Sequence, residues 1–229
     1  MTPQQILVAS LAQLGLALCL AGVALRGRFG ISRGFTLYLA ACLAGNVSVT
    51  VWPSLFFTMR WWVARSMVYN SLRLATALEL VYWTFSAMPG AQRTARRVLL
   101  TILGLTFVSL VFLPDGGGED AIRFSLLPRM MNGSIWLFAA TVGVSLLYRV
   151  PVHPWHRAIM TGFAAYLTVF TVFLRLVAVL GWNIFDLMNT VEPLCYVALL
   201  GFWTWAAWRT DEAPAIDPVV LDMIQPWRA

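Results

Sequence analysis

Residues 62–87 read WVARSMVYNSLRLATALELVYWTFSA. A helix rises about 1.5 Å per residue and needs about 20 largely apolar residues to cross a bilayer, so this stretch is long enough to span. It also carries Arg65, Asn70, Arg73 and Glu79. A charge at that depth costs roughly 2.5 kcal/mol or more unless it is paired or wetted. At 100° per residue, Arg65, Tyr69, Leu72, Thr76, Glu79 and Trp83 fall on one stripe, with Arg73 on its flank. Such a helix cannot face lipid all round, and the rest of the chain is expected to surround it.

Composition agrees. The chain is 60% hydrophobic and 11% charged, with a mean hydropathy of +0.75. Soluble domains carry about 25% charged residues, which points to an integral membrane protein. All 16 basic residues are arginine. The absence of lysine excludes a Schiff base to retinal or pyridoxal. Cys19, Cys42 and Cys195 lie in apolar runs, an odd number that suits packing rather than a disulfide framework.

Outward from the central stretch, the apolar runs predict seven spans, at about 5–25, 35–58, 62–87, 98–113, 130–148, 158–180 and 188–208. The fold expected is an all-α, seven-helix transmembrane bundle over 1–208 with a cytoplasmic tail over 209–229. Residues 1–4 carry no charged side chain, so the first run reads as a retained span rather than a secretory signal. Ten arginines fall in the loops and tail of one side and three (Arg60, Arg123, Arg129) on the other. The positive-inside rule then places the N-terminus outside and the C-terminus in the cytoplasm. The setting expected is a bacterial inner membrane. Trp52, Trp61, Trp62, Trp182, Trp205 and Trp208 near span ends suit an interfacial belt.

The polar residues inside the spans form the candidate site: Arg73, Glu79, Asn132, Arg175, Glu192 and Tyr196. By the helical rise, Arg175 and Glu192 lie at matching depths, roughly 9 Å outward of their span centres. They are expected to meet as an ion pair, or to line a pocket open to the outside. Three arginines against two glutamates within the spans would suit an anionic small molecule or lipid. Thr161, Thr168, Thr171 and Arg175 on the sixth span, and Glu192, Tyr196, Leu199 and Trp203 on the seventh, are expected to face the third. Pro193, directly after Glu192, removes a backbone donor and suggests a kink. Glu79 has no evident partner, and desolvation favours its protonated form.

Other chemistry finds little support. Asp115, Glu119 and Asp120 among glycines match no calcium loop and read as a solvated connection. His153 and His156 are read as solvated loop histidines; no span holds a histidine, which excludes bis-histidine haem between helices. No hydrolytic constellation is visible. No enzyme activity, cofactor, metal or nucleic-acid partner is expected. In the tail, Val219, Val220, Leu221, Met223, Ile224 and Trp227 suggest docking against protein.

The segments ALELVYW, PGAQRTARR, FLRLV and EPLCYVALLGFW resemble those of seven-helix membrane proteins of acidobacteria and similar soil bacteria. The resemblance implies recurring positions at Glu79, Arg175, Pro193 and Tyr196, and it implies no activity. The function expected is a ligand-binding or sensory module acting through a cytoplasmic or membrane partner. The alternatives are an accessory or scaffold subunit of a larger membrane complex and a small-solute transporter.

Overall fold

The computed structural model describes residues 3–86, 134, 137–143, 152–180 and 185–210, without the side chains of 3–5, 85–86, 174–175, 177–179, 185–186 and 189. Among the described residues every regular element is helical. The long helices are α1 (Pro3–Leu25), α2 (Arg33–Val51), α3 (Met59–Ser86), α4 (Pro154–Leu180) and α5 (Phe185–Trp208). Residues 137–143 are helical as well. Two stretches, Ile6–Leu25 and Arg33–Val51, are long and apolar enough to cross a membrane by length and composition.

Local chemistry sets the boundaries. The second span, expected to reach residue 58, ends as a helix at Val51. Proline disfavours the helical conformation in the residue before it, and Trp52, ahead of Pro53, sits at φ −126°, ψ 63°. Pro53 then opens a single separate turn, Pro53–Phe56. The helix expected from residue 62 starts at Met59 and, at 28 residues, is about 42 Å long.

The sixth helix begins four residues earlier than expected, and this corrects the reading of HPWH as a solvated loop. Pro154 is its first residue, and the Trp155 N–H donates to His153 Nδ1 at 3.2 Å. His153 thereby takes the place of the usual Ser or Asp cap. His156 lies in the first turn and is buried. The seventh span, expected from 188, starts at 185 and is assigned as one helix through Pro193. The expected spans 98–113 and most of 130–148 lie outside the described residues, as do the acidic connection and the tail beyond 210.

The helices close into a ring: α1 packs on α2 and α5, α2 on α3, α3 on α4, and α4 on α5. The α1–α5 seam is tied by polar contacts along its length. Thr204 Oγ1 donates to the Gly15 carbonyl at 3.2 Å, and Trp208 Nε1 to the Leu18 carbonyl at 3.0 Å.

An aromatic knot fills the middle. Phe35 of α2 meets Trp203 of α5 edge-on at 4.8 Å between centroids, and Phe163 of α4 meets the same tryptophan at 4.7 Å. Phe138 stacks on Phe163 at 4.6 Å, which brings the 137–143 helix into the same core. Edge-to-face pairs of this kind add about 0.5–1.5 kcal/mol each beyond area burial.

The α4 face expected to point at α3 does not turn inward, whereas two residues of the α5 face are buried. Leu199 and Trp203 are buried. On α4, however, Thr161 and Thr168 are exposed, and the inward face is Trp155, Ile159, Phe163 and Leu167. Thr168 and Thr171 donate to the carbonyls of Ala164 and Leu167 in their own helix. A hydroxyl satisfied within its helix needs no neighbour, so the threonine stripe is free to turn outward.

Arg28, Asn70, Thr76 and Thr84 are buried, while Leu7, Leu14, Leu37, Val68, Leu187 and Leu194 are largely exposed.

Candidate functional site

The polar side chains gather in two clusters along α3. Six residues separate Arg73 from Glu79, about 9 Å along the axis, and each belongs to a different cluster.

The first cluster lies around Arg73. Its Nη1 donates to Asn70 Oδ1 at 3.4 Å and its Nη2 reaches the Tyr38 hydroxyl at 3.5 Å, both long contacts. The guanidinium also sits 5.8 Å from the Tyr38 ring centroid. Its buried Nε finds no hydrogen-bond partner. Among the described residues no carboxylate pairs with Arg73.

Around it, the Tyr69 hydroxyl donates to the Cys42 carbonyl at 3.2 Å, and the Tyr38 and Tyr69 rings meet at 6.4 Å. Cys42 of α2 lies close to both Tyr38 and Tyr196. On the α4–α5 side the Tyr166 hydroxyl donates to Glu192 Oε1, and the Tyr166 and Tyr196 rings lie 5.8 Å apart. Arg73 thus lies with Tyr38, Tyr69 and Cys42 on the α2–α3 side, and Glu192 with Tyr166 and Tyr196 on the α4–α5 side. Chemically this is a set of donors with one guanidinium whose charge is only weakly answered.

The second cluster lies at the turn between α1 and α2, and it relocates Glu79. The expectation of a Glu79 without a partner does not hold. Its Oε1 accepts from the Arg33 N–H at 3.0 Å, and its Oε2 accepts from the Gly34 N–H at 2.8 Å and the Ser32 hydroxyl at 3.3 Å. Ser32 occupies the N-cap position of α2 but makes no side-chain cap. Glu79 caps that helix from α3 instead, placing an acceptor at the positive end of its dipole. A Cβ at Gly34 would stand 2.9 Å from Glu79 Oε2 and 3.2 Å from the Thr76 Cα, so only glycine allows this approach.

Arg28 completes the turn. It is 2% exposed, donates to the carbonyls of Ala206 and Arg209 at the end of α5, and lies 5.3 Å from the Trp155 ring centroid. A cation on the open carbonyls of a helix C-terminus satisfies both their acceptors and the dipole. Arg26 adds a contact to the Trp208 carbonyl at 3.0 Å. His156 Nε2 donates to the Ile31 carbonyl at 2.7 Å, with the Trp83 ring 6.4 Å away. Burial lowers the pKa of His156 most strongly; the Ile31 contact acts in the opposite sense, His153 lowers it further and Glu79 raises it.

Asn132 and the Arg175 side chain lie outside the described residues, so the expected Arg175–Glu192 pair is not placed. Tyr38, Cys42, Tyr166, Arg28 and His156 were not among the sequence candidates. Each tyrosine stands alone in an apolar run and carries no charge to mark it. Arg28 reads as one more loop arginine until its carbonyl acceptors are seen. The signal that was available is the pairing of Tyr166 and Tyr196 with Glu192 at similar depth. Comparison with protein-family models, with curated proteins and with solved structures returns no match.

Proposed function

We propose that the chain is a multi-pass protein of the bacterial inner membrane, a seven-span bundle that binds an anionic small molecule or lipid from the outer side. In this reading it is a non-enzymatic sensory or ligand-binding module that works through a membrane or cytoplasmic partner. The membrane setting is supported by the apolar exterior set against buried Arg28 and Asn70. Exposed large apolar side chains in such number suit a lipid or partner surface.

The observation that carries the binding function is Arg73: partly buried, held by long contacts to Tyr38 and Asn70, with an unpartnered Nε. A buried cation without a counter-charge is costly, and an anion arriving beside it relieves that cost. The test is purification in native nanodiscs followed by mass spectrometry of retained lipids and small molecules. Arg73→Gln should lose an anionic species that the wild type keeps. Identical profiles for the two proteins would refute the binding role.

The accessory-subunit reading draws on the second cluster, where Glu79 and Arg28 are engaged in capping helices. Charges used in that way serve packing alone, and a protein whose Arg73 bound nothing would belong to that class.

A further inference from the structure

Arg65 makes the binding site two-armed. It stands two turns before Arg73 on α3, and its guanidinium lies 5.7 Å from the Tyr69 ring centroid. The Tyr69 ring meets Tyr38 at 6.4 Å, and Tyr38 is the ring against which Arg73 lies at 5.8 Å. Each guanidinium thus lies against one ring of the same tyrosine pair. Arg65 repeats the deficit of Arg73: its Nε is buried and finds no hydrogen-bond partner. Among the described residues neither arginine meets a carboxylate. A packing role for Arg65 would leave that donor unanswered, whereas buried donors are as a rule satisfied.

We infer that the site takes a dianion of the phosphomonoester class, with Arg65 and Arg73 as its two cationic arms and the Tyr38 hydroxyl beside them. The inference rests on the anion-binding reading above and narrows it. Two guanidiniums that pair with no carboxylate among the described residues favour a doubly charged ligand. A phosphomonoester carries close to two charges above its second pKa of about 6 and offers three acceptor oxygens. Its oxygens can accept from both arms, and the guanidinium fork suits them better than an ammonium would. The same chemistry is available as the headgroup of a phosphatidate lipid or as soluble phosphate.

The experiment uses the full chain in nanodiscs at pH 8. Retention of phosphatidate is compared with that of phosphatidylglycerol, a monoanion, by native mass spectrometry, and inorganic phosphate binding is measured by titration calorimetry. The expected result is a preference of about tenfold or more for phosphatidate, or saturable binding of phosphate if the source is soluble. Arg65→Gln should erase the dianion preference and leave phosphatidylglycerol retention within about twofold, while Arg65→Lys should keep part of it. Arg73→Gln should weaken both lipids. Size-exclusion and melting profiles of Arg65→Lys keep the result independent of a folding defect in the glutamine variant. Equal retention of the two lipids, or an Arg65→Gln variant with its preference intact, overturns the two-armed site. If Arg73→Gln still lowers retention in that case, the broader anion-binding reading survives. Failure of every anion to bind overturns both.

Discussion

Glu79 holds the start of α2 with two carboxylate oxygens and three donors. Removing a helix cap costs about 0.5–2 kcal/mol, and hydrogen bonds to a charged group fall at or above the top of that range. Glu79→Ala should therefore lower the unfolding free energy by about 2 kcal/mol, with Glu79→Gln losing less because its amide oxygen still accepts. Denaturant unfolding in detergent measures both, and equal losses would argue that the two oxygens do not share the work. His156 supplies a pH dependence of known sign. Its pKa is lowered in the folded protein, mainly by burial, from an ordinary value of 6.5. The unfolded chain then binds the proton more readily, so the contribution is complete above about pH 6.5 and is lost as pH falls through the folded value. The melting temperature should drop between pH 6.5 and 5 in the wild type and drop less in His156→Gln. Matching slopes would assign the acid sensitivity to other groups.

At the level of elements, α4 and α5 approach closely at the core. A Cβ at Gly162 would lie 2.4 Å from Trp203 Nε1 and 2.9 Å from Leu199 Cδ1. Trp203 is fully buried among Phe35 and Phe163 and has nowhere to move. Overpacking of this kind costs about 1–3 kcal/mol, so Gly162→Ala should destabilise by that amount and Gly162→Val by more. A Gly162→Ala protein as stable as the wild type would show that the seam has slack. Among the described residues, the helix positions were largely legible because long runs of apolar residues have few alternatives. The ends were less so. Pro53 was placed inside a span, although the conformational limit on Trp52 already argues for a break there. The start of α4 was missed because a histidine cap carries no familiar signature, and only the Trp155 contact reveals it.

For the molecule as a whole, the Arg26–Ser32 turn joins the start of α2, the last third of α3, the start of α4 and the end of α5. That meeting requires α1, α2 and α3 to alternate in direction, as the loop arginines of the sequence imply. The polar centre was legible in part. Charge and depth singled out Arg73, Glu192 and Tyr196; Arg73 lies against Tyr38, while Glu192 accepts from Tyr166, whose ring neighbours Tyr196. The same criteria joined Glu79 to them, because a one-dimensional depth could not show that a backbone N-terminus from α2 lies within its reach. Arg65 was visible on the stripe, but its deficit of partners is a three-dimensional fact.

The account depends most on α2 crossing the membrane with the arginine turn inside, and cysteine labelling tests this directly. In a protein with Cys19, Cys42 and Cys195 replaced by alanine, single cysteines are placed at Gly30 and Phe57, both exposed and at opposite ends of α2. A membrane-impermeant maleimide applied to intact spheroplasts should label the Phe57→Cys protein at once, and the Gly30→Cys protein only after permeabilisation. Labelling of both from the outside, or of neither before permeabilisation, would contradict a membrane-crossing α2 and the bundle built upon it.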